Sequence, residues 1–282
     1  MRSLAARVVV SCLFAAACGR TPTENLGATE TGPGSGSFSV TSDRPVAGST
    51  TGASYSMSAS FTTESSCTST TIGACTVKPC YQSTSSGNGS VALPTAGQVT
   101  VIGTTMTSLT LDPQSDGNYA NESVTGELPW QMGGEALTFQ WSSFPGNAGQ
   151  PGDSITLSTP PYIALTMGSA FAALTSTVVR DQDLTVLWTN DNTPTELDEV
   201  SVDVTSDSVQ VYCIFSAASG SGVVPAAVLE SLEAGDGNYN VISKEHASLS
   251  INEGEGAWSM SFNINALARS GYGLARGSVT IQ

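Results

Sequence analysis

Strict alternation of apolar and polar residues constrains this chain more than any other feature. In Asp183-Leu-Thr-Val-Leu-Trp188, the residues Leu184, Val186 and Trp188 share one face of an extended segment. Val200, Val202 and Val204 repeat the pattern. So do Val209, Val211, Cys213 and Phe215, opposite Gln210 and Tyr212. Side chains switch faces at every residue of a strand, so a period of two marks half-buried strands with one apolar side. Pro225 follows, then Ala226-Ala-Val-Leu-Glu-Ser-Leu-Glu233 and Gly235. That order predicts a short helix near 225–233, with proline in its first turn and glycine past its end.

The first half carries the same signal. Phe38 and Val40 begin one strand, and Tyr55, Met57, Ala59 and Phe61 alternate with serines. Gln98–Ile102 and Met106–Leu111 flank Gly103 as a hairpin, and Asp112–Asn118 is a turn cluster. Leu137, Phe139 and Trp141 mark another strand; Ile155, Leu157, Ile163 and Leu165 mark two more. Leu249 and Ile251 are expected to pair with the run Trp258, Met260, Phe262 and Ile264, while Val279 and Ile281 form a terminal strand. Strands this short and numerous predict an all-β chain, an antiparallel β-sandwich with two Ig-like or jelly-roll-like lobes. The division is placed at 36–167 and 168–282. Asp116-Gly-Asn-Tyr119 recurs as Asp236-Gly-Asn-Tyr239, but no fixed period of a repeat protein accompanies it. Both read as turns, since Asp-Gly and Asn tolerate positive φ.

Residues 1–18 read as a targeting segment. Arg2 and Arg7 are its basic part, Val8–Phe14 its apolar part, and Ala15-Ala-Ala-Cys18 its end. The apolar run is too short for a permanent membrane span. Ala15-x-Ala17 suits ordinary signal cleavage, whereas Ala-Ala-Ala-Cys resembles a bacterial lipobox that lacks its usual leucine. Small residues flush against a cysteine favour the lipobox, with Cys18 lipidated as the first mature residue. Gly19, where an aspartate would retain the protein, resembles the sorting signal for the outer membrane. The expectation is a lipid anchor at the outer membrane or cell surface, with the periplasm-facing and secreted forms as alternatives. Residues 19–35 have no periodicity and read as a flexible tether with a reach of roughly 20–25 Å.

Charge excludes one class of partner. The chain has a net charge of −15, and removing 1–18 takes away two arginines and no acid, leaving 24 acids against 7 bases. Such a surface repels phosphate backbones, so nucleic acid is not an expected partner.

Beyond Cys12 and Cys18, four cysteines remain: Cys67, Cys75, Cys80 and Cys213. In an exported chain they read as two disulfides with three possible pairings. Cys213 shares an apolar face, so it is expected to bridge back to one member of the Cys67–Cys80 cluster. Zinc is set aside, because the spacing lacks a Cys-x2-Cys pair and His246 is the lone histidine.

The order of several segments is distinctive. Gly73-Ala-Cys75-Thr-Val-x-x-Cys80 is followed by Ala96–Val101, Leu128-Pro-Trp-Gln-Met-Gly-Gly134, Arg180–Thr189, and Cys213-x-Phe with Val224-Pro-Ala-Ala-x-Leu229. Together with the lipobox-like start, they resemble a group of secreted lipoproteins of myxobacteria and related bacteria that have no assigned activity. The likeness covers roughly residues 50–282 and departs at Phe144–Asp153. It implies an exposed or periplasmic β-rich lipoprotein and carries no catalytic residue to transfer.

Chemistry-bearing patterns are sparse. His246 stands in polar Ser243-Lys-Glu-His246, which reads as a surface hairpin, and no Gly-x-Ser-x-Gly elbow accompanies it. The acids Asp181, Asp183, Glu196, Asp198 and Glu199 read as a solvated loop rather than a glycosidase pair. Calcium is the more credible use of such acids, with Asp191, Glu196, Asp198 and Glu199 as ligands in one loop and Asp236-Gly-Asn238 as another. Trp141, Trp188 and Trp258 fall on apolar faces as core residues. Trp130 falls in a turn, where it could present a ring to a sugar together with Tyr119 or Tyr239. The expected function is a non-enzymatic envelope lipoprotein with a disulfide-stapled β-sandwich body and a structural or adhesion role. The alternatives are a carbohydrate- or Ca2+-dependent binding module that meets a glycan or protein at the surface, and, more remotely, a secreted hydrolase.

Overall fold

The computed structural model describes residues 34–44, 52–62, 68–79, 97–114, 119, 121–142, 154–172, 176–253, 256–270 and 273–282. The expectations for residues 1–18 with Cys18, for 19–33, for Cys67 and Cys80, for 115–118 and for the Phe144–Asp153 stretch lie outside the described residues.

Alternation becomes strand almost everywhere it was read. In chain order the strands begin with β1 (Gly34–Asp43), β2 (Ser54–Thr62), β3 (Thr70–Ile72), β4 (Cys75–Lys78) and β5 (Val99–Gly103). Next come β6 (Leu109–Leu111), β7 (Glu122–Thr125), β8 (Ala136–Trp141), β9 (Ser154–Ser158) and β10 (Ile163–Leu165). The series continues with β11 (Ser176–Val178), β12 (Leu184–Asn190), β13 (Glu199–Thr205), β14 (Gln210–Ser216) and β15 (Ser221–Val224). After the helix α1 (Ala226–Leu229) come β16 (Gly235–Glu253), β17 (Gly256–Leu267), β18 (Arg269–Ser270), β19 (Gly273–Leu274) and β20 (Arg276–Ile281).

The helix is shorter than the 225–233 expected. Pro225 stands just before it in an extended conformation, and Asp183 Oδ1 accepts the first helical N–H from Ala226 at 2.8 Å. Val228, Leu229 and Leu232 are buried, so the segment acts as an apolar plug.

Among the described residues the strands form three sheets. The largest runs β3-β4-β14-β13-β16-β17-β1-β2-β7, with β20 and β11 branching from β16. The others are β15-β12-β10-β18-β19 and β6-β5-β8-β9. Most pairings are antiparallel, as a sandwich requires; β1–β17, β11–β20 and β10–β18 are parallel. The expected hairpins are present, with Val99 opposite Leu111, and Leu249 and Ile251 opposite Met260 and Trp258.

Two hydrophobic cores fill the space between sheets. One gathers Phe38, Val40, Tyr55, Met57, Phe139, Trp141, Phe262 and their neighbours. The other gathers Val186, Trp188, Val200, Val202, Val211, Leu229 and Ile281. Each core draws on residues from both sides of residue 168. Residues 247–266 contribute to the first core, and Cys75 and Val77 to the second. The cause is β16: at 19 residues it spans about 60 Å, and it changes partner along its length. Gly235–Asn240 pair with β20, and Ile242–Glu253 pair with β17.

Cys75 and Cys213 stand directly opposite on β4 and β14 and are joined by a disulfide, both wholly buried. The inward face read for Cys213 puts its sulfur where this partner waits. The Asp236-Gly-Asn238 segment is strand, not turn. Gly237 is needed for close approach, because a Cβ there would stand 2.4 Å from the Thr205 carbonyl oxygen.

Candidate functional site

The four acids read as calcium ligands lie at the junction of the two cores, between the end of β12 and the start of β13. Three of them are drawn to different partners. Asp191 accepts from Arg44 at 2.8 Å and from Arg269 at 2.6 and 2.7 Å. Glu196 is exposed. Asp198 turns inward, is 3% exposed, and accepts the Thr195 N–H at Oδ2. Glu199 turns to the outer face, 3.3 Å from Lys244 Nζ and 3.5 Å from His246 Nδ1. The alternation that made β13 a strand is what separates Asp198 from Glu199.

This corrects the calcium expectation. A calcium site needs several oxygens converging on one point, and here two arginines already neutralise Asp191 while Asp198 and Glu199 diverge. Among the described residues, no group of three or more His, Cys, Asp or Glu side chains is placed to hold a metal ion. Asp236, in the second loop considered, stands within β16 opposite Thr280 of β20.

The Trp130 expectation is corrected too. Its side chain is fully buried and stacks on Tyr162, ring centroids 5.5 Å apart. The turn around it folds about a carboxylate. Glu135 accepts N–H bonds from Gln131 at 2.8 Å, Met132 at 3.2 Å and Gly133 at 2.8 Å, plus the Thr159 hydroxyl at 3.1 Å. Burial opposes the charge on Glu135, but these backbone bonds prevail and hold its carboxyl below the usual range. Gly133, at φ 110°, packs so tightly on Pro160 and Pro161 that no side chain fits. Tyr119 and Tyr239 are also buried, the first donating to the Gly97 carbonyl and the second stacked on Phe171.

Tyr162 ties this turn to the acidic junction. Its hydroxyl donates to the Trp130 carbonyl and lies 2.8 Å from Ser42 Oγ, and Arg44 covers its ring at 5.0 Å. Burial raises the phenol well above its ordinary value, so it stays neutral.

Sequence reasoning missed Glu245, the most perturbed carboxyl at the junction. It lies on β16, 6% exposed, and burial, reinforced by Asp198 and then Glu199, pushes it up to about 8. Burial likewise raises Asp198. The only signal was positional: Glu245 falls in register with Val241 and Ala247, both core residues. His246, one residue on, is on the outer face beside Glu199, in mid-strand rather than at a hairpin tip. Enclosed like this, the two carboxyl groups can hold a proton but present no face to a substrate.

The outer surface of the main sheet is a different kind of region. Rungs across β2, β1 and β17 read Ser56–Thr41–Asn265 and Ser58–Ser39–Asn263. Asn263 Nδ2 donates to Ser37 Oγ at 2.9 Å and Asn265 Nδ2 reaches Thr41 Oγ1 at 3.5 Å, so the carboxamides are oriented by neighbours. The result is an uncharged field of hydroxyl and amide groups spaced by the strand repeat, roughly 4.8 Å across and about 7 Å along.

No protein-family model matches the chain, and no curated protein matches it at a significant level. Among the described residues no helix is long and apolar enough to cross a membrane.

Proposed function

We propose that this protein is a non-enzymatic, lipid-anchored protein of the cell envelope, with a structural or adhesion role. The observation that carries the reading is the outer face of β2, β1 and β17. It is broad, uncharged and rich in paired donors and acceptors, on a chain whose net charge is −15. A face of that kind forms many weak hydrogen bonds and repels neither neutral polymers nor like surfaces. The Cys75–Cys213 staple and the shared main sheet suit a body that bears load outside the cell. Ala15-Ala-Ala-Cys18 supports the anchor, and the lipoprotein resemblance supports the location.

A second reading, a carbohydrate-binding module, draws on the same face rather than on Trp130. Both are tested together. Labelled fatty acid is expected to enter the wild-type chain and not Cys18→Ala, and surface protease is expected to reach the protein on intact cells. Absence of label would remove the anchor from the reading. Replacing Ser39 and Asn263 together by lysine is expected to reduce attachment of expressing cells to a surface. Loss of retention on neutral glucan by the same variant would promote the carbohydrate reading, and unchanged attachment and retention would refute both.

A further inference from the structure

The two cores meet where β13 begins beside the middle of β16. Val241 belongs to the second core and Ala247 to the first. Between them, on the same inner face of β16, stand Ser243 and Glu245, both buried. The last rung between the two strands pairs Glu199 with Lys244. One residue beyond it on each strand are Asp198 and Glu245, both turned inward and both more than nine-tenths buried.

The charges around this pair do not relieve it. From β13, Asp198 and Glu199 both act to disfavour ionisation of Glu245. Lys244 and His246, on either side of it in β16, reach Glu199 on the opposite face. Arg44 and Arg269 end on Asp191. β17 sets Ile264 opposite Glu245, and β9, the strand packed across β16, is Ser154-Ile-Thr-Leu-Ser158, so neither supplies an ionisable group. Asp198 Oδ1 is buried without a hydrogen-bond partner while Oδ2 holds the Thr195 N–H. Two carboxyl groups in such surroundings cannot both be charged at low cost, and protonating one removes the repulsion between them.

We propose that Asp198 and Glu245 form a proton-held latch: a proton on Glu245 removes the repulsion between the two carboxyl groups and seats the Thr195–Asp198 turn at the junction of the cores, and its loss releases the turn. Release has a path outward. The Asp198 carbonyl accepts the Ala217 N–H at 2.9 Å, and the Ala217 carbonyl accepts Trp188 Nε1 and Asn190 Nδ2, each at 3.0 Å. A turn that lifts therefore loosens the start of β13 and the Ala217–Ser219 segment together.

The sign follows from Glu245. Its carboxyl loses a proton near 4.5 in the unfolded chain and near 8 in the folded one, so the folded state binds the extra proton between those values. Stability falls as pH rises through that window and levels off above about 8. The test is amide exchange of residues 195–198 and 217, corrected for the intrinsic pH dependence, between about pH 6 and 9. Wild type is expected to exchange up to about a hundredfold faster at the upper end, while Glu245→Gln, which stays neutral, remains protected throughout. A flat wild-type profile, or the same rise in the variant, overturns the latch. In wild type itself, an infrared band of a protonated carboxyl is expected near neutral pH and gone by about pH 9; its absence near neutral pH overturns the latch as well.

Discussion

Replacing Cys75 and Cys213 together by alanine should cost this protein most of its stability. The disulfide joins residues directly opposite on β4 and β14 and closes a loop with a sequence separation of 138. Chain entropy for a loop of that length gives about 5 kcal/mol at 25 °C, because the uncrosslinked unfolded chain regains that freedom. A domain is stable by roughly 5–15 kcal/mol, so the variant should stand near the edge of folding. The loop encloses every strand from β5 to β13, including the whole β6-β5-β8-β9 sheet. Both cores are therefore expected to lose stability, not only the one that contains the sulfurs. Urea unfolding followed by near-ultraviolet circular dichroism measures the loss, with reduced wild type as a control that leaves the side chains in place. A drop below about 1 kcal/mol would refute the reasoning, since it would mean the unfolded chain is already held together there without the bond.

Two further substitutions have clear outcomes. Glu135→Gln should cost about 1.5–3 kcal/mol at neutral pH, by weakening three charge-assisted bonds to backbone N–H groups. Because that carboxyl is held below its ordinary value, its contribution is lost as pH falls through the folded value, so variant and wild type should converge in acid thermal melts. Gly237→Ala places a Cβ 2.4 Å from the Thr205 oxygen and 2.6 Å from Ile281 Cδ1, and a loss of about 2 kcal/mol or more in chemical denaturation is expected.

The sequence reveals the strands and the inward residues because both depend on local alternation. Val200, Val202, Val211 and Cys213 are buried for the reason their spacing announces. Which strands lie side by side is another matter. Thr41 and Asn265 are neighbours across 224 residues of chain, and nothing in either strand's own pattern names the other. The two cores mix distant parts of the chain for that reason, and β16 serves both. Trp130 was misplaced because a Pro- and Gly-rich turn has no period, so its burial depends on Glu135 folding the turn inward. Glu245 was hidden differently. Ser243-Lys-Glu-His246 is polar at every position, and polar runs read as surface, although here the strand continues and its register carries one carboxyl inside.

The position of β1 has a consequence for how the body is made. Its two flanking strands are β2, which begins at Ser54, and β17, near the far end of the chain. One flank of β1 can be occupied as soon as β2 is synthesised, and the other stays open until Gly256–Leu267 exist. Assembly is therefore held back by the slowest kind of contact, one between distant segments, and a chain truncated before β17 would carry a bare strand edge able to recruit its own copies.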